Sequence, residues 1–382
     1  MLREYACARL RSVAPKKKLP SSGRRRAGKP VQKVSLKLLA DELDLSPATV
    51  SLVINRSAVA DSIPQATKDR IFAAARKHNY RPNFFARCLR TQRSFTIGVM
   101  VPEVSEGYAT LVMSGIEDHL LQEGYFYFVA SHRHRTDLID EYPKMLLARA
   151  VDGLIALDTP WTHSDLPIPV VTVSGHNEVN GVTNIVLDHR RAAQLALEHL
   201  FNLGHRRIAF IKGQEFSSDT EDRWNAICEA AGELDLSVEG QLSVQLEGDL
   251  PATQLGFQVT RKLLATREPF TGLFAFNDLS AIGAISALRE KGLEVPHDVS
   301  VVGFDDIQSA AFQNPALTTV RQPLRKMGMI AAETVLRRIQ RPGIDAYPTR
   351  ITVEPELVVR ESTAAVSIEA RSKHRPDSSP RA

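Results

Sequence analysis

From Phe95 onward the chain alternates short apolar or β-branched runs with stretches whose apolar residues recur at helical spacing. TIGVMV is followed by MSGIEDHLLQEG and YFYFVA; DGLIAL, PVVTVS and NIVLD lead into RRAAQLALEHLFNLG and RIAFIKG. GLFAF, SAIGAISALREKG, VSVVGFD, RKMGMIAAETVLRRI and RITVEPELVVR continue the alternation. Strands alternating with helices predict βαβ units and parallel sheets. More than eight such strands over roughly 270 residues predict two doubly wound lobes rather than one sheet. The crevice between two such lobes is the usual seat of a small ligand.

Residues 34–81 have a different texture, with short helical stretches and tight connections. In VSLKLLADELDLSPATVSLVINRS, Ser35 is placed to cap a helix whose Leu36, Leu39, Ala40 and Leu43 share one face. Asp44 falls where the chain must turn, and Asp tolerates a left-handed backbone better than most residues. Ser46 followed by Pro47 is a second helix start. The second helix then turns Val50, Val53 and Ile54 inward and leaves Pro47, Ala48, Thr49, Ser51, Leu52 and Asn55 on exposed or partly exposed faces. A third amphipathic segment, from Pro64 through Arg70, Ile71 and Ala75 to His78, completes a small three-helix core. A short second helix beginning Ser-Pro is the geometry that enters a DNA major groove, although an ordinary helical hairpin has the same pattern.

NYRPNFFARCLRTQRS comes next. Pro82 ends the preceding helix, Asn83 can cap a short one, and Phe84, Phe85, Ala86, Cys88 and Leu89 lie beside Arg87, Arg90 and Arg93. A helix this short falls below the ~12–15 residues needed for independent stability. Its partner is either a second copy together with DNA, with an apolar side chain wedged into the minor groove, or the surface of the following domain.

Charge sharpens this division. The whole chain carries +4, but residues 1–30 carry +9 and residues 31–95 carry +6, leaving −11 for the rest. A basic head on an acidic body predicts that the head meets a polyanion and the body does not. Residues 1–32, with KKK and RRR runs, read as a disordered basic arm, and residues 364–382 as a frayed polar tail. Between them lie a helix-turn-helix domain at 33–81, a hinge helix at 82–94 and a two-lobed body at 95–363. No apolar run approaches the ~18 residues of a membrane span, and the basic N-terminus lacks the apolar stretch of a secretory signal. Three widely spaced cysteines, Cys7, Cys88 and Cys228, give no disulfide framework and no CxxC metal cluster, which fits a reduced cytoplasm.

The segments VSLKLLADELDLSPATVSLVIN, NYRPNFFARCLR and TIGVMVPE together resemble the lac repressor/galactose repressor (LacI/GalR) family of bacterial transcription regulators. The resemblance continues through LGHRRIAFIKG, AFNDLSAIGAISALREKGLEVPHDVSVVGFDD, PALTTVRQP and PELVVREST, covering about residues 34–363. It implies an α/β chain: a three-helix helix-turn-helix head and hinge helix, then a body like a type I periplasmic sugar-binding protein with parallel doubly wound sheets. It also implies a homodimer on a pseudo-palindromic double-stranded operator, a saccharide effector between the lobes, and a place in the cytoplasm at the nucleoid. Ser46, Pro47, Ala48, Thr49, Ser51 and Asn55 fall where the family touches DNA. Leu52 departs from the Arg often found there, so a bidentate guanine contact is missing. Leu89 matches the hinge leucine that intercalates at the operator centre, and Arg87 stands beside it.

In the body, Arg223, Asn277, Asp305 and Gln322 follow strands, at the ends that face the crevice. Arg, Asp and Asn suit a polyhydroxylated ligand, because each hydroxyl both donates and accepts. Arg223, Asn277 and Asp305 match effector-binding positions of the sugar-responsive members, whereas Asp278 and Asp306 read as structural. Ser105, Glu106 and Tyr108 follow the first strand in PEVSEGYA, which departs from the family's Asp-x-x-Asn-Pro-Phe-Phe pattern. Leu250 stands near a position where sugar-binding members place a stacking aromatic. A sugar acid, a nucleobase and a phosphorylated sugar stay open as alternative effectors. Enzymatic readings fail: GxSxG, GxGxxG after a strand and GxxxxGK[ST] are all missing. His132 and His134 with Asp137 lack further metal ligands, and Ser174 beside His176 is not a workable nucleophile and base. Neither a cofactor nor a metal is expected. The remaining alternative is a solute sensor whose basic head binds nucleic acid without specificity.

Overall fold

The structure, a computed structural model, describes residues 34–55, 57–80, 88, 92–104, 107–175, 177–238, 240–248, 250–341 and 347–366. The basic arm, Arg87 and Leu89 of the hinge, Ser105 and Glu106 of the body, and residues 367–382 of the tail lie outside the described residues.

The chain divides into two compact units at Phe84. In the first, α1 (Leu36–Leu43), α2 (Pro47–Ile54) and α3 (Gln65–Lys77) surround a core of Leu39, Ala40, Val50, Val53 and Ile71. Ser35 Oγ accepts the Leu38 amide at 3.2 Å, and Ser46 Oγ accepts the Thr49 amide at 3.0 Å. Each of the first two helices thus begins on a side-chain cap, worth about 1 kcal/mol. Asp44 ends α1 in the left-handed region, with φ 55°. Arg70 then donates to the Leu43 carbonyl at 3.1 Å, and Lys77 pairs with Glu42 at 2.7 Å, fixing α3 across α1.

The second unit holds two six-stranded sheets. The first lobe is built on β1 (Thr96–Val101), β2 (Phe126–Ser131), β3 (Gly153–Leu157), β4 (Val170–Val173) and β5 (Val182–Leu187), with β11 (Arg350–Val353) added late in the chain. Its order is β11-β5-β4-β3-β1-β2, all parallel. The second lobe uses β6 (Ile208–Lys212), β7 (Ser243–Gln245), β8 (Gly272–Ala275), β9 (Ser300–Asp305), β10 (Thr318–Arg321) and β12 (Glu356–Val358). Its order is β12-β10-β9-β8-β6-β7, parallel except for the antiparallel β10–β12 pair. Strands β1, β3, β4 and β5 are buried along their whole length. Burial of both faces is why they read as continuous apolar runs rather than alternating ones.

The helices are α4 (Tyr108–Gln122), α5 (Thr136–Leu147), α6 (His189–Asn202), α7 (Asp219–Glu233), α8 (Ala252–Ala265), α9 (Asp278–Glu290), α10 (Gln308–Phe312) and α11 (Leu324–Gln340). The chain crosses between lobes after β5, after β10 and after β11. The last crossing corrects the sequence reading of RITVEPELVVR as one strand. Pro355 interrupts it, and its halves become β11 and β12 in different sheets. Helix α11 returns from the second lobe to lie directly on α4. A Cβ on Gly115 would stand 1.9 Å from the Arg325 carbonyl oxygen, so this approach admits only glycine.

Where the chain enters β1, the Asp152 carboxylate accepts the Ser94 amide at 2.7 Å, the Ser94 hydroxyl at 3.0 Å and the Phe95 amide at 2.8 Å. Arg93 donates to the Ile339 carbonyl at the end of α11, at 2.8 Å. The residues leading into the body are therefore clamped to it.

Candidate functional site

Two places in the molecule carry groups suited to binding. On α2, Ser46, Pro47 and Ala48 are exposed, and Thr49, Ser51, Leu52 and Asn55 are half-buried. Val50 and Val53 anchor the opposite face in the core. The polar groups are hydrogen-bonded within their own helix. Ser46 Oγ lies 2.8 Å from Thr49 Oγ1, and Asn55 Nδ2 donates to the Ser51 carbonyl at 2.8 Å and to its hydroxyl at 3.2 Å. Leu52 packs its side chain against the head core. The outer face of α2 is thus a short, rigid row of small polar groups.

The second place is the cleft, where strand ends of both sheets converge. Arg223 projects from the second turn of α7, which begins at Asp219. Its guanidinium is 3% exposed, donates to Asp219 at 2.8 Å and to the Phe276 carbonyl at 2.6 Å, and lies 3.8 Å from the Phe304 ring centroid. Its Nε is buried without a partner. Asp305 ends β9 in a left-handed conformation with φ 109° and accepts Gln322 Nε2 at 2.6 Å. The other prong of Gln322, Oε1, is buried and unpaired. Burial pushes the Asp305 carboxyl up to about 7; Arg223 pulls it down, and Asp219 and Asp158 push the same way as burial.

The first lobe contributes Tyr108, at the start of α4. Its hydroxyl is buried and faces that of Ser174, just beyond β4, with neither in full hydrogen-bond geometry. Burial, and then the charges of Asp219 and Asp158, hold the Tyr108 hydroxyl well above its ordinary range, so it stays protonated. Asn277 is used differently. Its Oδ1 accepts the Ser280 amide at 2.8 Å in a capping box that opens α9, which leaves its NH2 as the group to offer a ligand. Asp278 and Asp306 are structural. Asp278 is fully buried, accepts the Thr319 hydroxyl at 2.6 Å and the Ile307 amide at 2.8 Å, and is held well above the carboxylate range by burial. Asp306 pairs with Arg321 and Arg360 at 2.7 and 2.6 Å. Leu250 is 45% exposed.

Sequence reasoning missed the groups that join the lobes. Asp158, just after β3, accepts the Ser218 amide at 2.9 Å and its hydroxyl at 2.6 Å, with the Ser217 hydroxyl at 3.3 Å. The same Ser218 hydroxyl reaches the Ser174 carbonyl. His134 lies against Phe216 across the lobes, with ring centroids 4.1 Å apart. His189, at the start of α6, sits 3.4 Å from Asp219. A signal was present: Asp158 and Ser174 stand immediately after GLIAL and VVTV, and both take positive φ, as Asp305 does at the end of its strand.

The suspected metal cluster separates. His132 accepts the His134 amide at 3.1 Å and bonds to Thr159 at 3.0 Å, and burial lowers it to about 4, while Asp137 pairs with Arg135. Among the described residues no three His, Cys, Asp or Glu side chains are placed to hold a metal ion. Nor is any helix among them long and apolar enough to cross a membrane.

Comparison with known proteins agrees with this division. Residues 35–83 match the lacI family of bacterial regulatory proteins, and residues 197–363 match the periplasmic binding protein-like domain. The chain is 31% identical over 342 residues to the HTH-type transcriptional repressor PurR of Haemophilus influenzae, spanning 87% of this chain and 99% of that one. It is 30% identical over 334 residues to the PurR repressor of Actinobacillus pleuropneumoniae, covering 86% and 98%. Among solved structures, a lac repressor dimer bound to operator and an anti-inducer superposes with a TM-score of 0.76 at 26% identity, covering 87% of this chain and all of that one. A complex of the regulator CelR with cellobiose gives 0.61 at 28%, covering 86% and 99%, and a ribose-bound regulator from Enterococcus faecium gives 0.63 at 28%, covering 71% and 100%. The chain belongs to the lacI family of bacterial regulatory proteins and is a DNA-binding transcription regulator with a ligand-binding body, not an enzyme.

Proposed function

We propose that this regulator is a dimeric repressor of the bacterial cytoplasm, acting at the nucleoid, that reads a pseudo-palindromic operator and is controlled by a saccharide in its cleft. The observation that carries the reading is the set of buried polar atoms with unused capacity in the cleft: Arg223 Nε and Gln322 Oε1 without a partner, and Tyr108 Oη and Ser174 Oγ facing only each other. Such buried groups ordinarily have partners, and this mixture of donors and acceptors matches a ligand of many hydroxyls. Cellobiose and ribose in two similar regulators support the choice.

Ser46, Pro47, Ala48, Thr49, Ser51, Leu52 and Asn55 face the major groove in this reading. Arg87 and Leu89, on the hinge at 82–94, reach the minor groove. Ser105, Glu106, Tyr108, Arg223, Asn277, Asp305 and Gln322 surround the effector. The second copy meets the first lobe along edge strand β2 and the neighbouring helices, where Leu121, Phe126, Phe128, Val129 and Met329 are exposed. Effector binding alters the lobe arrangement, and hence the hinge and the operator affinity.

Selection of duplexes from a random library at moderate salt tests the reading. A pseudo-palindrome with a flexible central CG, CA or TA step is expected. Enrichment without symmetry, or binding that disappears with salt whatever the sequence, would overturn it in favour of a non-specific tether. With the operator in hand, equal affinity with and without saturating effector would sink the coupling.

A further inference from the structure

We infer that the cleft selects an uncharged or amino-bearing polyhydroxylated ligand and rejects sugar acids and sugar phosphates, an inference that rests on reading the cleft as the effector site. The charges that meet there decide it. Asp158, Asp219 and Asp305 converge on the buried Tyr108 hydroxyl, and the cation described beside them is Arg223. That guanidinium donates to Asp219 at 2.8 Å and to the Phe276 carbonyl at 2.6 Å, so its charge is already balanced by a buried carboxylate. A carboxylate or phosphate needs an uncompensated cation to replace its hydration, and the Arg223 charge is already met by Asp219. Arg133, next to the cross-lobe His134, is exposed to solvent.

The carboxylates are held in different ways. Asp158 receives one amide and two hydroxyls from Ser217 and Ser218, which stabilise its charge. Asp219 has Arg223 and His189. Asp305 has only a neutral amide donor, Gln322 Nε2, at hydrogen-bond distance among the described contacts, and it is 6% exposed. A ligand hydroxyl or ammonium donating to Asp305 supplies what its surroundings do not. An anion placed there would instead meet the Asp305 carboxylate, once ionised, in a medium that screens poorly.

The test uses the full-length protein and four pools of probes: neutral mono- and disaccharides, amino sugars, sugar acids and sugar phosphates. Thermal shift finds binders and operator release confirms that they act. Hits are expected only among the neutral and amino pools, with the carboxylated or phosphorylated counterpart of a hit at least about a hundredfold weaker. Asp305→Asn is expected to shrink that discrimination about tenfold. If it does not fold, Asp158→Asn serves for the same comparison. A sugar acid or phosphate that binds as tightly as its neutral counterpart overturns the charge inference but leaves the carbohydrate cleft standing. No hit in any pool overturns the carbohydrate reading itself.

Discussion

On α2 the polar side chains near solvent are already bonded to their own helix, whereas in the cleft several buried ones are left with unused capacity. Ser46, Thr49, Ser51 and Asn55 belong to the first kind. Arg223, Gln322, Tyr108 and Ser174 belong to the second. The difference follows from the partner. A duplex is large and wet, so a recognition surface needs rigidity and exposure, and water satisfies its groups meanwhile. A small ligand must be enclosed, so its site withholds water and keeps donors and acceptors in reserve. One chain thus carries two binding surfaces whose energetics respond to different substitutions.

The sharpest break between them is Val50→Asp. It buries an unpaired carboxylate in the core that α2 shares with α1 and α3. Specific operator binding is expected to fall by more than about a thousandfold, the effect of losing more than 4 kcal/mol of head stability. Effector affinity, measured by calorimetry, should stay within about twofold of wild type. Arg223→Ala inverts the pattern. It removes the guanidinium from buried Asp219 and should lower the stability of the body by about 3–5 kcal/mol. The effector response disappears, while operator affinity without ligand is retained at temperatures where the body is folded. A normal response would place the ligand elsewhere.

Asp305→Asn separates the surfaces by pH. Asp305 titrates near 7 in the folded protein against 3.8 for an ordinary Asp, so the folded state holds a proton that the unfolded chain has released. The stability it lends is therefore present at low pH and lost as pH rises from about 4 to 7. The variant should be more stable than wild type at pH 8, by about 2–4 kcal/mol less the value of the Gln322 bond, with little gain at pH 4. Thermal melts at both pH values check this. Head function is expected not to change. The smallest effect is Ser46→Ala, which removes the α2 cap and should cost about 1 kcal/mol of head stability, read as a lower melting temperature of the head.

How much of this was legible in the sequence depended on the range of the interactions. Ser35, Asp44 and Ser46 set their helix ends through bonds within a few residues, so their types were informative. Fully buried parallel strands announced themselves as apolar runs. What stayed hidden were decisions between distant segments. RITVEPELVVR has one local pattern but two sheet partners, and nothing in its own residues says that Thr319 and Asn184 are their neighbours. The cleft was half legible. Arg223, Asp305 and Gln322 stood out as polar groups after strands, but Asp158 passed unnoticed because its meaning lies in Ser218, sixty residues away. Asn277 carried an ambiguity that only geometry resolved, since the same side chain serves as a helix cap and as a candidate ligand group.

Strand β3 has an aspartate at each end. Asp152 grips Ser94 and Phe95, where the chain arrives from the head, and Asp158 grips Ser217 and Ser218 of the second lobe. Five extended residues separate them, so the two carboxylates terminate a single rod about 20 Å long. A strand in mid-sheet is stiff along its axis because neighbours on both sides hold its register. β3 therefore works as a tie bar with a clevis at either end. Serines drawn from Asp158 by a ligand would release the bonds at one end of this bar while Asp152 keeps those at the other.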